Sequence, residues 1–400
     1  MTSTSDRLDS SRTAMTAADI LSALIRFDSV SSRSNLPLIE WIEAFLADRD
    51  VAATRIVDQA GEKANLVATI GPSNVPGYIL SGHTDVVPVD GQDWTVDPFG
   101  GDCIGDHIYG RGASDMKGFL ACVLSRVDAM TRADLARPLH LVFSYDEEVG
   151  CVGVRSAIRD LAGWDVLPAG CFVGEPTDME VVIAHKGKRS VRAEITGRTG
   201  HSSLAPHFVN AAEYGARLTA FISDIGRELA AGGSRDPLYD MPHSTAHVGV
   251  LQAGTQLNIV PERCVIDFEF RVIAADDADA LVERVVAYAR TELEPAMQRI
   301  DPDTGIAFHD ISEIPGLETD PSDDLIALTK QLAGRNAHAK VAYGTEGGLF
   351  TKLAAIPTVV IGPGKIERAH KADEFILVSE LDRCCAFLDR LIAECRTPAR

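Results

Sequence analysis

Two hydrophobic periods alternate along the first half of the chain. Ala17–Phe27 and Leu36–Leu46 carry apolar residues at helical spacing, whereas Asn65–Ile70 and Tyr78–Leu80 are short strand-like runs with glycine close behind. Met116–Met130 then reads as a helix, Leu139–Phe143 as a strand, Val152–Leu161 as a helix and Cys171–Val173 as a strand. This alternation predicts an α/β unit: a mostly parallel sheet with helices on both faces. In such folds ligand sites gather in the loops beyond the strand ends.

From about Lys186 the pattern changes. Val191, Ala193 and Ile195 alternate with Arg192, Glu194 and Thr196, the mark of an antiparallel strand with one wet face. Asn210 opens a helix with Glu213 as its capping-box partner, and its apolar stripe is Tyr214, Leu218, Phe221, Ile222 and Ile225. Strands at Ala246–Leu251 and Val265–Val272, a helix at Ala278–Leu293 and a strand at Gly305–Ile311 complete a ferredoxin-like β-α-β-β-α-β order. After Pro315 the α/β pattern returns: Asp324–Leu332 is helical, Thr358–Ile361 is a strand, and Ser379 caps a last helix reaching about Glu394. The predicted division is a polar, disordered tail over 1–15, one α/β domain in two parts (16–185 and 314–400), and an α+β domain inserted between them (186–313).

Length supports two domains, because 400 residues exceed what one core usually serves. No apolar run approaches the roughly 18–20 residues of a spanning helix, so no membrane association is expected. The first fifteen residues lack the apolar stretch of a secretory signal, so a cytoplasmic location is expected. Eight cysteines show neither C-x-x-C spacing nor a disulfide framework, so any metal must be held by histidine and carboxylate. A net charge of −20 argues against nucleic acid as a partner. It suits a cationic substrate and ordinary solubility equally.

Polar residues cluster just after the predicted strands. His83 and Asp85, two apart, fall on one side if the strand stays extended. Asp115 follows Gly110 and Gly112 at the start of a helix, where it serves either as a ligand or as a plain N-cap. A phosphate loop is the weaker reading, because neither glycine-rich fingerprint is satisfied there. Asp146-Glu147-Glu148 follows the Leu139–Phe143 strand as a cation site or a solvated acidic loop, while Glu175 and His370 stand in later loops. Alone each is ambiguous. Together they are the imidazole and carboxylate set that a pair of zinc ions requires.

These segments, with Gly174-Glu175-Pro176-Thr177, Gly200-His201-Ser202-Ser203, Gly344-Thr345-Glu346 and Gly362-Pro363-Gly364, resemble the M20 family of metallopeptidases and deacylases in order along nearly the whole chain. The Gly-Glu-Pro-Thr run, Ala184-His185-Lys186-Gly187 and Gly-His-Ser-Ser are most similar to acetylornithine deacetylases, with succinyl-diaminopimelate desuccinylases next. Glu175 in place of Asp resembles the deacylases more than the di- and tripeptidases.

The resemblance implies a zinc-exopeptidase-like fold with a lid that also dimerises, and an N-acyl amino acid as substrate. It implies two Zn2+ ions, for which Co2+ or Mn2+ are possible substitutes: His83 and Glu175 on one, Glu148 and His370 on the other, and Asp115 bridging. Asp85 matches the residue that holds the first histidine, and Glu147 the general base. His201 matches a histidine that stabilises the oxyanion, often across a dimer. Asn258, Arg271 and Thr345 match positions that hold the substrate, although Arg271 reads equally well as a salt-bridge partner of Glu269 or Asp267. A catalytically silent zinc-binding scaffold is the non-enzyme alternative, and the retained Glu147 argues against it.

Overall fold

The computed structural model describes residues 15–398. The tail expected over 1–15 lies outside the described residues except for Met15, which packs part-buried against the core.

The large sheet runs in the order Ala53–Val57, Ala64–Ile70, Leu139–Ser144, Tyr78–His83, Gly170–Val173, Thr358–Val360, Val182–His185 and Leu317–Glu318, with Ala339–Val341 also paired to Val182–His185. Its centre is parallel: Tyr78–His83 pairs in parallel with both Leu139–Ser144 and Gly170–Val173, and Thr358–Val360 joins Gly170–Val173 the same way. The flanking strands Ala53–Val57 and Ala64–Ile70 add antiparallel. The central strands are buried on both faces, which explains their unbroken apolar runs. One face packs on the helices Ala17–Ile25, Lys117–Ser125 and Val378–Cys395, and the other on Val154–Leu161 and Gly347–Ala354.

The second sheet is antiparallel, in the order Thr245–Ala253, Arg263–Val272, Gly187–Thr196, Gly305–Ile314. Its inner residues Val191, Ala193, Ile195, Ile266, Phe268 and Phe270 form a separate core with the helices Ala211–Gly232 and Ala278–Tyr288. The chain enters this lid at Gly187 and leaves it at Gly316. The two glycines touch, and a Cβ on either would lie 3.0 Å from the other's backbone nitrogen. Both crossings are thus pinched together beside the large sheet.

Some local expectations are corrected. Met116–Met130 is two helices, Lys117–Ser125 and Val127–Arg132, broken at Arg126. Asn210 caps its helix through Oδ1, but Glu213 turns to Arg217 (2.5 Å) rather than back to the cap. The last helix starts at Val378, not after Ser379, because the strand Phe375–Leu377 runs straight into it and Glu380 Oε2 accepts the Leu377 N–H at 3.0 Å. No helix among the described residues is long and apolar enough to cross a membrane.

Candidate active site

The parallel strands end together, and their loops carry the polar cluster. His83 is the last residue of Tyr78–His83. Glu147 and Glu148 follow Leu139–Ser144, Glu175 follows Gly170–Val173, and the loop after Thr358–Val360 brings His370. Asp115 reaches the same place from the turn before Lys117–Ser125, through a cis Asp115–Met116 peptide.

His83 Nε2 lies 3.2 Å from Asp115 Oδ1 and 3.9 Å from Glu175 Oε1. On the other side of Asp115, His370 Nε2 lies 3.3 Å from its Oδ2 and 3.1 Å from Glu148 Oε2. His83, Asp115 and Glu175 therefore form one potential metal-binding triplet, and Asp115, Glu148 and His370 a second. Asp115 belongs to both. The first triplet is buried, whereas His370 is half exposed at the rim, so approach is from its side.

The ionisable groups of the two triplets shift one another. Burial, then the charge of Asp115, pushes the Glu175 carboxyl well above the usual carboxylate range, and its buried Oε1 accepts no hydrogen bond. Burial and Asp115 likewise raise Glu148 to about 6. Hydrogen bonds to Asp115 and Glu148 push His370 up to about 10. Asp115 itself is lowered: burial opposes this, but hydrogen bonds from His370 and His83 outweigh it. Packed carboxylates, one with an oxygen that accepts no hydrogen bond, next to two imidazoles fit a pair of divalent cations: the donor types are right, and it is crowding beside Asp115 in a buried place that raises the two glutamates.

Asp85 serves more than one neighbour. His83 Nδ1 donates to its backbone carbonyl at 2.9 Å, with a carboxylate oxygen at 3.5 Å. The carboxylate also accepts Ser31 Oγ (2.7 Å) and the N–H groups of Glu147 (3.1 Å) and Glu148 (3.3 Å). It thus fixes the histidine and the acidic loop relative to each other. Glu147 is part-buried and belongs to neither triplet; Cys151 Sγ donates to its Oε1 at 3.4 Å. Desolvation in the cleft, opposed by His83 and reinforced by Glu148 and Asp115, lifts its pKa well above the ordinary value.

The other predicted site residues belong to neither triplet. His201 is exposed with Nδ1 2.8 Å from Ser203 Oγ, and Asn258 lies on an exposed loop where its carbonyl accepts the Ser202 N–H. Arg271 Nε donates to Glu269 Oε1 at 2.9 Å, the salt-bridge reading of that residue. Thr345 is buried, and its Oγ1 accepts the Gly347 N–H at 3.0 Å at the start of the Gly347–Ala354 helix. Two residues with no role assigned from sequence also face the site. Glu346 is buried below it, accepting Ser144 Oγ (2.5 Å) and Ser81 Oγ (3.4 Å), and burial raises it to about 7. Tyr343 has its hydroxyl pushed up by burial and by the nearby Glu175 and Asp115. A carboxylate inside a glycine-flanked turn and two serines in otherwise apolar strands were the available signals.

A parallel-centred α/β domain with an inserted antiparallel lid, and two ligand triplets joined by one carboxylate, define a metal-dependent hydrolase. Residues 79–394 match peptidase family M20/M25/M40, and the chain belongs to that family. It is 32% identical over 381 residues to the acetylornithine deacetylase of Pasteurella multocida (strain Pm70), covering 93% of this chain and 96% of that one. To the acetylornithine deacetylase of Proteus mirabilis (strain HI4320) it is 31% identical, covering 91% of each. Among solved structures, the M20 family metallo-carboxypeptidase Sso-CP2 from Sulfolobus solfataricus superposes with a TM-score of 0.74 at 18% identity, over 94% of this chain and 98% of that one.

Proposed function

We propose that the chain is a two-zinc amidohydrolase that removes the acetyl group from N2-acetyl-L-ornithine, giving L-ornithine and acetate in arginine biosynthesis. The observation that carries this reading is a pair of ligand triplets sharing Asp115, with Glu147 beside them and in neither. Relatives named acetylornithine deacetylase at about 30% identity over nearly full length support the substrate. The free state of all eight cysteines supports a cytoplasmic setting.

His83, Glu175 and Asp115 would hold one ion, and Glu148, His370 and Asp115 the other. When bound, the pair polarises a carbonyl and makes a water molecule acidic near neutral pH. Glu147 does the proton work. It stands beside the triplets and belongs to neither, so its carboxylate is free to take a proton from water and pass it to the departing amine. Asp85 keeps the His83 ring turned and the Glu147 backbone in place. His201 stabilises the carbonyl oxygen as its charge develops, from its own lid or from a partner's in a homodimer formed through the lids. Asn258, Arg271 and Thr345 hold the carboxylate or the acyl end of the substrate, with Arg271 sharing its charge between Glu269 and the substrate.

The test is amine release from N-acetylornithine and N-succinyl-diaminopimelate in parallel, with and without a chelator. Chelator-sensitive turnover of the acetyl compound is expected. Turnover of the succinyl compound alone would overturn the substrate and keep the mechanism; turnover of neither by zinc-loaded protein would overturn the substrate class.

A further inference from the structure

We propose that the buried Arg111–Glu374 ion pair, with Gln92, is a positioning clamp that sets the shared ligand Asp115 and the rim ligand His370 at a fixed separation. The proposal rests on the metal-centre reading above and adds three residues to it.

Glu374 is buried and accepts from donors on both sides. Its Oε1 takes the backbone N–H groups of Ser114 (2.9 Å) and Asp115 (3.1 Å), and its Oε2 takes Arg111 Nη1 at 2.8 Å. The two partners of the pair are 263 residues apart in sequence and essentially inaccessible to water. Arg111 then spreads across two segments. Nη1 also donates to the Lys371 carbonyl (3.2 Å), Nη2 donates to Gln92 Oε1, and the guanidinium lies 5.0 Å from the Trp94 ring centre. Gln92 closes the loop, with Nε2 donating to the His370 carbonyl at 2.9 Å.

The backbone on both sides of the centre is thereby tied down. Asp115 is held through its own N–H, so its carboxylate leaves the turn in one direction. His370 has φ +61°, a left-handed conformation that a non-glycine residue keeps only when its surroundings impose it. Its carbonyl and that of Lys371 are the groups bound by Gln92 and Arg111. A buried ion pair contributes little net stability against an apolar replacement. What this one supplies is geometry: a planar fork that meets a carboxylate and two carbonyl-bearing loops at once, which a lysine cannot do. Partners behind metal ligands commonly change affinity by about 10–100-fold.

The two halves of the clamp act on different parts of the centre, and that separates positioning from mere support of the fold. Gln92→Ala frees the His370 carbonyl and one nitrogen of Arg111, and leaves the Glu374 bonds to the Ser114 and Asp115 N–H groups in place. Glu374→Gln places an amide NH2 against either Arg111 or two backbone N–H groups, all donors, and disturbs Asp115, which both triplets use. The experiment is calorimetric titration of Zn2+ into metal-free wild-type protein and these variants, with Arg111→Lys alongside and thermal unfolding in parallel. Wild type should bind two ions. Gln92→Ala should weaken one ion by about 10–100-fold and leave the other unchanged, with kcat falling more than KM rises. Glu374→Gln should weaken both, and Arg111→Lys should not restore the wild-type pattern. Two ions bound at wild-type strength by Gln92→Ala would overturn the clamp, as would a loss of thermal stability with affinities intact. Gln92 is part-exposed on a loop, so its variant decides the matter even if Glu374→Gln does not fold. A wild-type protein that takes up no zinc would instead refute the metal-centre reading on which the clamp depends.

Discussion

Glu147 and Glu148 are neighbours in sequence with different positions in the site: Glu148 contacts His370, while Glu147 is in neither triplet. Glu147→Gln should therefore lower kcat by about 10²–10⁴-fold while the protein still takes up two ions, measured by turnover and metal analysis of one preparation. Away from the centre, His140 and His185 are buried neutral rings, each pushed down to about 4 by desolvation. His185 Nδ1 donates to the Lys186 carbonyl and Nε2 accepts the Gly348 N–H, while His140 Nδ1 meets Thr69 Oγ1 at 2.9 Å. In the unfolded chain both protonate near pH 6.5. Their folded pKa values are depressed, so this stability is whole above pH 6.5 and is withdrawn as pH falls towards 4. By pH 5 each removes roughly 2 kcal/mol. Denaturant unfolding of His140→Gln at pH 7 and pH 5 should show a smaller acid loss than wild type. His83, Glu148, Glu175 and His370 were legible because each sits at or beyond the end of an apolar strand, where a polar side chain has no packing reason to sit, and Asp115 because two glycines lead it into the start of a helix. Arg111 and Glu374 were not, because their partnership spans 263 residues and each looks like an ordinary surface charge in its own segment.

The most legible elements were those whose period is local. The helices from Ala17, Leu36 and Ala211 and the strand Arg263–Val272 follow their hydrophobic spacing closely. Caps were less certain, since several nearby side chains compete for the same N–H groups. Asn210 won its position, accepting from Ala212 (3.0 Å) and Glu213 (3.3 Å). Asn210→Ala should cost about 1 kcal/mol, seen as a lower unfolding midpoint of the lid, with kcat unchanged because the cap lies on the lid helix and touches none of the site residues. Short strands such as Val182–His185 and Ala339–Val341 escaped notice, being defined by pairing with distant partners rather than by a period of their own.

Across the whole molecule, the crowding of carboxylates sets the dependence on metal. Glu175 Oε1 is buried and accepts no hydrogen bond, with the His83 imidazole 3.9 Å away. Divalent ions that bind only the folded chain add about 2.7 kcal/mol at one hundred times their dissociation constant. Thermal unfolding with zinc and with a chelator should therefore differ by several degrees, and equal midpoints would contradict a metal centre built from these residues. The two-part plan of the large domain was readable from the return of the α/β pattern after Pro315. The order of strands was not, because nothing in Thr358–Val360 says which neighbours it will separate.

That strand sits between Gly170–Val173 and Val182–His185, although it is made after the whole lid. Synthesis therefore delivers the lid, Gly187 to Ile314, as one continuous stretch able to fold on emergence, while the sheet beneath it still has a slot in the middle. A chain arrested before Thr358 would carry a finished lid on a sheet whose Gly170–Val173 edge is bare, the kind of edge that recruits foreign strands. The last forty or so residues, which carry that strand and His370, act as a wedge, and until they arrive the nascent enzyme is both inactive and adhesive.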